Sequence, residues 1–263
     1  PEIRRPVGQN RAAKSLARLA LVIVIASTQL TLPGVASAQP CKVVQEKAVQ
    51  LFGPTSISAK CGATGVLCAS AVSIAANPAT QLPVVVFYAD DNKIRLRRFD
   101  GTGWSTAEVL PTLGAKLPVS SVGTMNGVSV AADSKGQIHV IYTDGKSVFH
   151  LQRATAWSTP QKIHTIGHTS LTALSLHLGF DAKDQMHVVY WYESGIGYVY
   201  HAKKTASGWG SWTKIGNGRH IDVELDKTGQ IHVSWMNKLS SNPANWQAFY
   251  KYMDAKGTWQ AAK

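Results

Sequence analysis

The stretch Asp133-Ser-Lys-Gly-Gln-Ile-His139-Val-Ile-Tyr142 returns as Asp181-Ala-Lys-Asp-Gln-Met-His187-Val-Val-Tyr190 and again as Asp226-Lys-Thr-Gly-Gln-Ile-His232-Val-Ser-Trp235. The histidines stand 48 and 45 residues apart, a period that belongs to arrays of one supersecondary unit. Each copy lies between a short alternating strand and an aromatic strand, with a tryptophan farther on. In the third unit, four strands are read at 174–180, 186–192, 197–202 and 212–215, separated by Gly, Asp, Lys and Ser turn residues. Asp133 and Asp226 can accept the backbone N–H groups ahead of them, and Gly136 and Gly229 can take the positive φ that closes a tight hairpin.

The second strands, 138–142 and 186–192, are apolar on both faces, so each sheet is expected to be covered on both sides. A diverged first unit begins near Val72, with Asn77-Pro-Ala-Thr-Gln81 in place of the Asp turn and no histidine. The units run over about 72–110, 127–166, 173–216 and 220–263. Four strands in a repeat of this length predict an all-β fold: a β-propeller of four-stranded antiparallel blades, four of them readable, with room for more. A solenoid of the same period would need helices, and no helical apolar pattern follows Val49.

Upstream, Arg4, Arg5, Arg11, Lys14 and Arg18 precede an apolar run over 19–26, a Pro33-Gly34 break and Ala36-Ser37-Ala38. This reads as a secretory signal peptide over 1–38, cleaved near Ala38-Gln39, and places the protein in the periplasm or outside the cell. The apolar run is too short to span a bilayer. Removing the segment lowers the formal charge from +12 to +8, because it holds five basic residues and Glu2. The remaining excess is scattered, without the basic arm or helix of a specific nucleic-acid binder. Cys41, Cys61 and Cys68 fall in a segment over 39–71, where one disulfide is expected and the pairing stays open.

The phrase Asp-x-x-Gly-Gln-x-His-Val-x-Tyr resembles the repeats of secreted bacterial propellers of the sialidase-like, Asp-box-related type. Asp184 departs from it in the third unit and Trp235 in the fourth. The resemblance implies a propeller in an extracytoplasmic setting and says little of activity, since one fold hosts lectins, hydrolases, lyases and scaffolds. The Asp box is not intact: Asp100-Gly-Thr-Gly-Trp104 and Asp254-Ala-Lys-Gly-Thr-Trp259 keep its residues at other spacings. Of Arg95, Arg97, Arg98, Arg153 and Arg219, the first three share one strand, so a sialidase-type arginine triad cannot be assembled.

His139, His187 and His232 occupy one place in three blades. They are too far apart to share an ion, and no metal or cofactor is expected; burial with a bond to the neighbouring blade or turn is the expected role. Counting back from each turn gives two columns on the first strands: Ser73, Ser129, His177 and Asp222, then Ala75, Ala131, Gly179 and Glu224. If that face lines a central channel, His177, Asp222 and Glu224 form a candidate catalytic cluster able to move protons or hold a sugar. Trp104, Trp157, Trp212 and Trp259 are read as blade packing. Trp191, Tyr192 and Trp246 are candidate sugar-stacking residues, because a flat ring offers a pyranose an apolar face. The motifs of serine hydrolases, zincins, P-loops and EF-hands do not occur. The reading is a secreted non-enzymatic binding module for carbohydrate or cell-envelope glycan. Its alternatives are a sialidase-like hydrolase or lyase, and an interaction scaffold within a larger secreted protein.

Overall fold

The computed structural model describes residues 72–89, 93–113, 125–167, 173–194, 196–226, 228–238 and 246–263. The expected signal peptide, the segment over 39–71 and its cysteines lie outside the described residues.

Four antiparallel sheets follow one another along the chain. The first comprises β1 (Val72–Ala76), β2 (Pro83–Tyr88), β3 (Ile94–Arg98) and β4 (Glu108–Val109). A two-residue β5 (Met125–Asn126) leads into the second, β6 (Val128–Ala132), β7 (Ile138–Thr143), β8 (Ser147–Arg153) and β9 (Gln161–Thr165). The third holds β10 (Ala173–Phe180), β11 (Met186–Ser194), β12 (Ile196–Thr205) and β14 (Thr213–Asn217), with β13 (Gly208–Trp209) against the end of β12 and β5 running parallel to β10. The fourth holds β15 (Arg219–Leu225), β16 (Ile231–Lys238) and β17 (Trp246–Met253). Its outer edge is formed by the chain end, where Tyr250 and Lys263 exchange backbone hydrogen bonds and Met253 bridges Trp259.

These are propeller blades, and among the described residues they do not close into a ring. Consecutive first strands contact each other, β1 with β6, β6 with β10 and β10 with β15. Packing divides accordingly into three clusters, one per seam. Val84, Val86, Leu96 and Leu110 of the first sheet meet Val128, Val130, Val140 and Leu151 of the second. Ile141, Val148 and Ile166 meet Leu174, Leu176, Val188 and Tyr190. Val189, Trp191 and Val199 meet Ile221, Ile231, Val233 and Trp235. Every residue of β7 is therefore buried, whereas along β16 the buried Ile231, Val233 and Trp235 alternate with the exposed Ser234 and Met236. At the other end Val72 and Ile74 are 44% and 58% exposed, at places where β6 buries Val128 and Val130.

The recurrent turn is built as its residues dictate. Asp133 Oδ1 accepts the N–H groups of Lys135 and Gln137 at 3.0 and 2.8 Å, and Asp181 and Asp226 repeat the pattern. Gly136 has φ +80, and a Cβ there would lie 2.9 Å from that of Ala79 in the preceding blade's turn, so glycine answers two demands at once. In the third blade Asp184 takes the same left-handed conformation, φ +58. Its carboxylate accepts both the backbone N–H and the hydroxyl of Ser134 in the second blade's turn, a bond between blades that offsets the backbone strain.

Candidate functional site

The three strand-two histidines are held within their own blade; His139 and His187 face the following seam, and His232 lies on the open face of the fourth sheet. Turn Asp Oδ2 lies 3.7, 3.3 and 3.2 Å from Nε2 of His139, His187 and His232. Nδ1 then meets a third-strand partner: His150 Nε2 at 3.1 Å, His201 Nε2 at 3.0 Å and the Tyr250 hydroxyl at 2.7 Å. The neighbouring blade contributes rings rather than hydrogen bonds, with Trp209 edge-on to His150 and Trp259 edge-on to His201. Burial, the partner imidazole and a nearby lysine hold His150 and His201 down to about 3. Burial also lowers His139 and His187 against the pull of their aspartates. The His139–His150 and His187–His201 pairs are buried and present no open surface.

The first-strand column does not face a channel. Ser73 Oγ accepts the N–H of Val130 at 3.2 Å, and Ser129 Oγ accepts that of Leu178 at 3.0 Å, so this face is turned toward the next blade. His177 follows suit: it is half-buried, 3.2 Å from Ser175 Oγ, and burial lowers its pKa while the Asp222 carboxylate opposes the shift. Asp222 and Glu224 lie exposed on the uncovered face of the fourth sheet, where Asp222 Oδ1 accepts the adjacent Val223 N–H at 3.1 Å. Strand periodicity separates the two faces of β10 and β15 without telling which direction either takes.

Trp191 and Tyr192 are core residues. Trp191 is 2% exposed and packs in the third seam, and Tyr192 is buried among Tyr190, Tyr198 and Tyr200. Buried rings have no face to offer a sugar, which corrects the stacking role expected of them. Trp246 is half-buried beneath the Arg219 guanidinium, 5.3 Å from its ring, and Arg219 pairs with Glu193 of the third blade. The repeating packing tryptophan of the third blade is Trp209 rather than Trp212. Trp209 pairs with Lys204 as Trp104 does with Phe99, Trp157 with Arg153 and Trp259 with Met253.

One polar group at the first seam escaped the sequence reading. Glu108 of β4 receives the Trp157 indole N–H on Oε1 at 2.8 Å and an Arg153 guanidinium N–H on Oε2. Arg98 stands 3.6 Å from the same oxygen. Both arginines line a cavity of about 390 Å³ between the first and second blades, with Asn77, Thr80, Asp100 and Ser105 as further polar walls and Val84 and Ile138 as apolar floor. Asp100 is held down to about 2 by the Thr102 hydroxyl and by backbone N–H groups of Thr102 and Gly103. Arg98 remains 43% exposed. Charged donors, a carboxylate and an apolar floor together suit a ligand that carries many hydroxyls on a partly apolar ring. A second groove of about 400 Å³ lies at the second seam, where Trp209 and Trp212 stack at 6.1 Å beside His164 and Lys162. Among the described residues, no cluster of His, Cys, Asp and Glu could hold a metal ion.

No protein-family model matches the sequence, and the comparison with curated proteins found no match. Solved structures do match. AofleA from Arthrobotrys oligospora is 16% identical with a TM-score of 0.52, covering 75% of this chain and 57% of its own. An α-L-arabinanase from Penicillium chrysogenum, complexed with arabinobiose, is 12% identical with a TM-score of 0.51, covering 73% and 65%. A fungal lectin, Aleuria aurantia lectin, described as a six-bladed β-propeller, gives 14% and 0.49, covering 74% and 61%. The chain thus spans less than two thirds of each of these proteins, and its fold is that of β-propeller blades.

Proposed function

We propose that the chain is a secreted, non-enzymatic carbohydrate-binding propeller module whose ligand enters the cavity of the first seam. The carrying observation is the Glu108 group. Its carboxylate fixes Arg153 and the Trp157 indole while Arg98 stays exposed on the cavity wall, which preorganises charged donors for hydroxyl recognition. The solved arabinanase with a similar fold holds a sugar, in keeping with this ligand class. Secretion rests on the signal peptide read over 1–38.

A glycan-array experiment on the purified chain tests the reading, with Glu108→Gln and Arg98→Leu in parallel. We expect saturable binding to a subset of neutral glycans, weakened about tenfold or more in either variant, as for the loss of a charge-assisted hydrogen bond. Binding unaffected by both substitutions would remove the site from this seam.

A second reading, a glycoside hydrolase or lyase, is favoured by the half-buried His177 feeling the charge of the Asp222 carboxylate. It requires turnover of a glycan that is abolished by His177→Ala and retained in Glu108→Gln.

A further inference from the structure

The second and third seams each enclose a nearly coplanar imidazole pair, joined edge to edge by an N···N hydrogen bond. His139 and His150 lie with ring centroids 5.3 Å apart and planes 10° apart, and His187 and His201 repeat this at 5.3 Å and 16°. All four rings are buried. The aromatic cover comes from the next blade, Phe180 and Trp209 over the first pair and Trp259 over the second.

Charged groups face the pairs from both sides. Asp133 of the same blade and Asp184 and Lys204 of the next face His139, and Lys204 also acts on His150. Asp181 and Lys203 face His187, with Lys203 Nζ 3.7 Å from Asp181 Oδ2. The fourth blade places Gly229 and Met253 where the third has Asp184 and Lys204, so it brings no charge to the second pair at those positions. In the first sheet the paired positions hold Val84 and Leu96, both buried. In the fourth they hold His232 and Tyr250, and His232 lies on the open face.

Two neutral imidazoles at 3.0–3.1 Å share one proton, one ring donating and the other accepting. A first added proton can sit beside the turn aspartate. The second leaves two N–H groups opposed and two like charges side by side in a buried seam, which neither hydrogen bonding nor solvation relieves. We propose that the second and third seams are acid-released joints: protonation of the two histidine pairs loosens the third blade from its neighbours while the first seam, apolar at the same positions, stays shut. The direction follows from linkage. Histidines held neutral in the fold contribute fully above their unfolded pKa of about 6.5, and the contribution drains as pH falls through that value toward about 3.

Hydrogen exchange followed by mass spectrometry on the full chain tests this, at pH 7 and pH 4 with intrinsic rates corrected. We expect protection over β11 and β12 to fall about tenfold or more at pH 4, with β2 and β3 unchanged. The variant His139→Val/His150→Leu, which installs the first sheet's pair in the second, should keep β7 and β8 protected at pH 4. Equal loss in the first and third sheets, or no loss in either, would overturn the proposal. The wild-type comparison decides the matter even if the double variant does not fold.

Discussion

Val84 and Leu96 fill, in the first seam, the two positions that hold His139 and His150 in the second and His187 and His201 in the third. The apolar pair needs no partners, and the charged contacts of that seam gather at its rim, where Glu108 holds Arg153 and the Trp157 indole beside a cavity lined by Arg98 and Arg153. In the third seam a polar network runs through the interior, from Asp181 through His187 to His201, and closes beneath the Trp259 edge; in the second, His139 bonds His150 beneath the Trp209 edge, with Asp133 3.7 Å away. Two solutions to one packing problem thus leave different surfaces. The first leaves Arg98 exposed on a cavity wall; the second commits its polar groups to cohesion. The recurrent histidine belongs to the second class in the second and third blades, and lies on an open face in the fourth.

The largest effect expected from breaking this division is in the third seam. Trp191→Ala removes a buried indole from a cluster that includes Trp235 and Val233 and should cost about 3–5 kcal/mol, read as a lowered midpoint in urea unfolding. An unchanged midpoint would mean that the indole is not packed as described. Next comes the turn aspartate in its two settings. Asp181→Ala withdraws the acceptor from Lys183, Gln185 and the buried His187 and should cost about 3 kcal/mol. Asp226→Ala withdraws the same kinds of bond where solvent can replace them, His232 being 30% exposed against 1% for His187. It should cost clearly less, and equal losses would show that the seam adds nothing to the network. The smallest effect on stability is expected at the rim. Glu108 is about a third exposed, so screening limits what its ion pairs contribute, and Glu108→Gln should cost no more than about 1 kcal/mol.

Much of the blade architecture was legible because the features that fix it are local. Asp133, Gly136 and His139 stand at set distances along one hairpin, and the apolar β7 announces a sheet covered on both faces. Pairing across strands was less so. The partners of the three histidines differ in type and in distance along the chain, at 11, 14 and 18 residues, so no single spacing reveals them. Trp212 was read in place of Trp209 because the two lie on either side of the short return after β12, and only the pairing with Lys204 separates them. The direction of the His177 and Asp222 column depended on how sheets face one another, which alternation along a strand does not encode. Glu108 was invisible for a plainer reason. Its partners Arg153 and Trp157 lie 45 and 49 residues away on the next blade, and nothing around Glu108 in the sequence marks it.

The division between a ligand seam and cohesive seams is tested most directly by titrating one array-selected glycan calorimetrically into Glu108→Gln and Asp181→Ala side by side, with the unfolding midpoint of each measured in the same buffer. Glu108→Gln should lose about tenfold or more in affinity at a nearly unchanged midpoint, and Asp181→Ala should keep the affinity at a lowered midpoint. The opposite pattern, with affinity lost in Asp181→Ala and retained in Glu108→Gln, would contradict it.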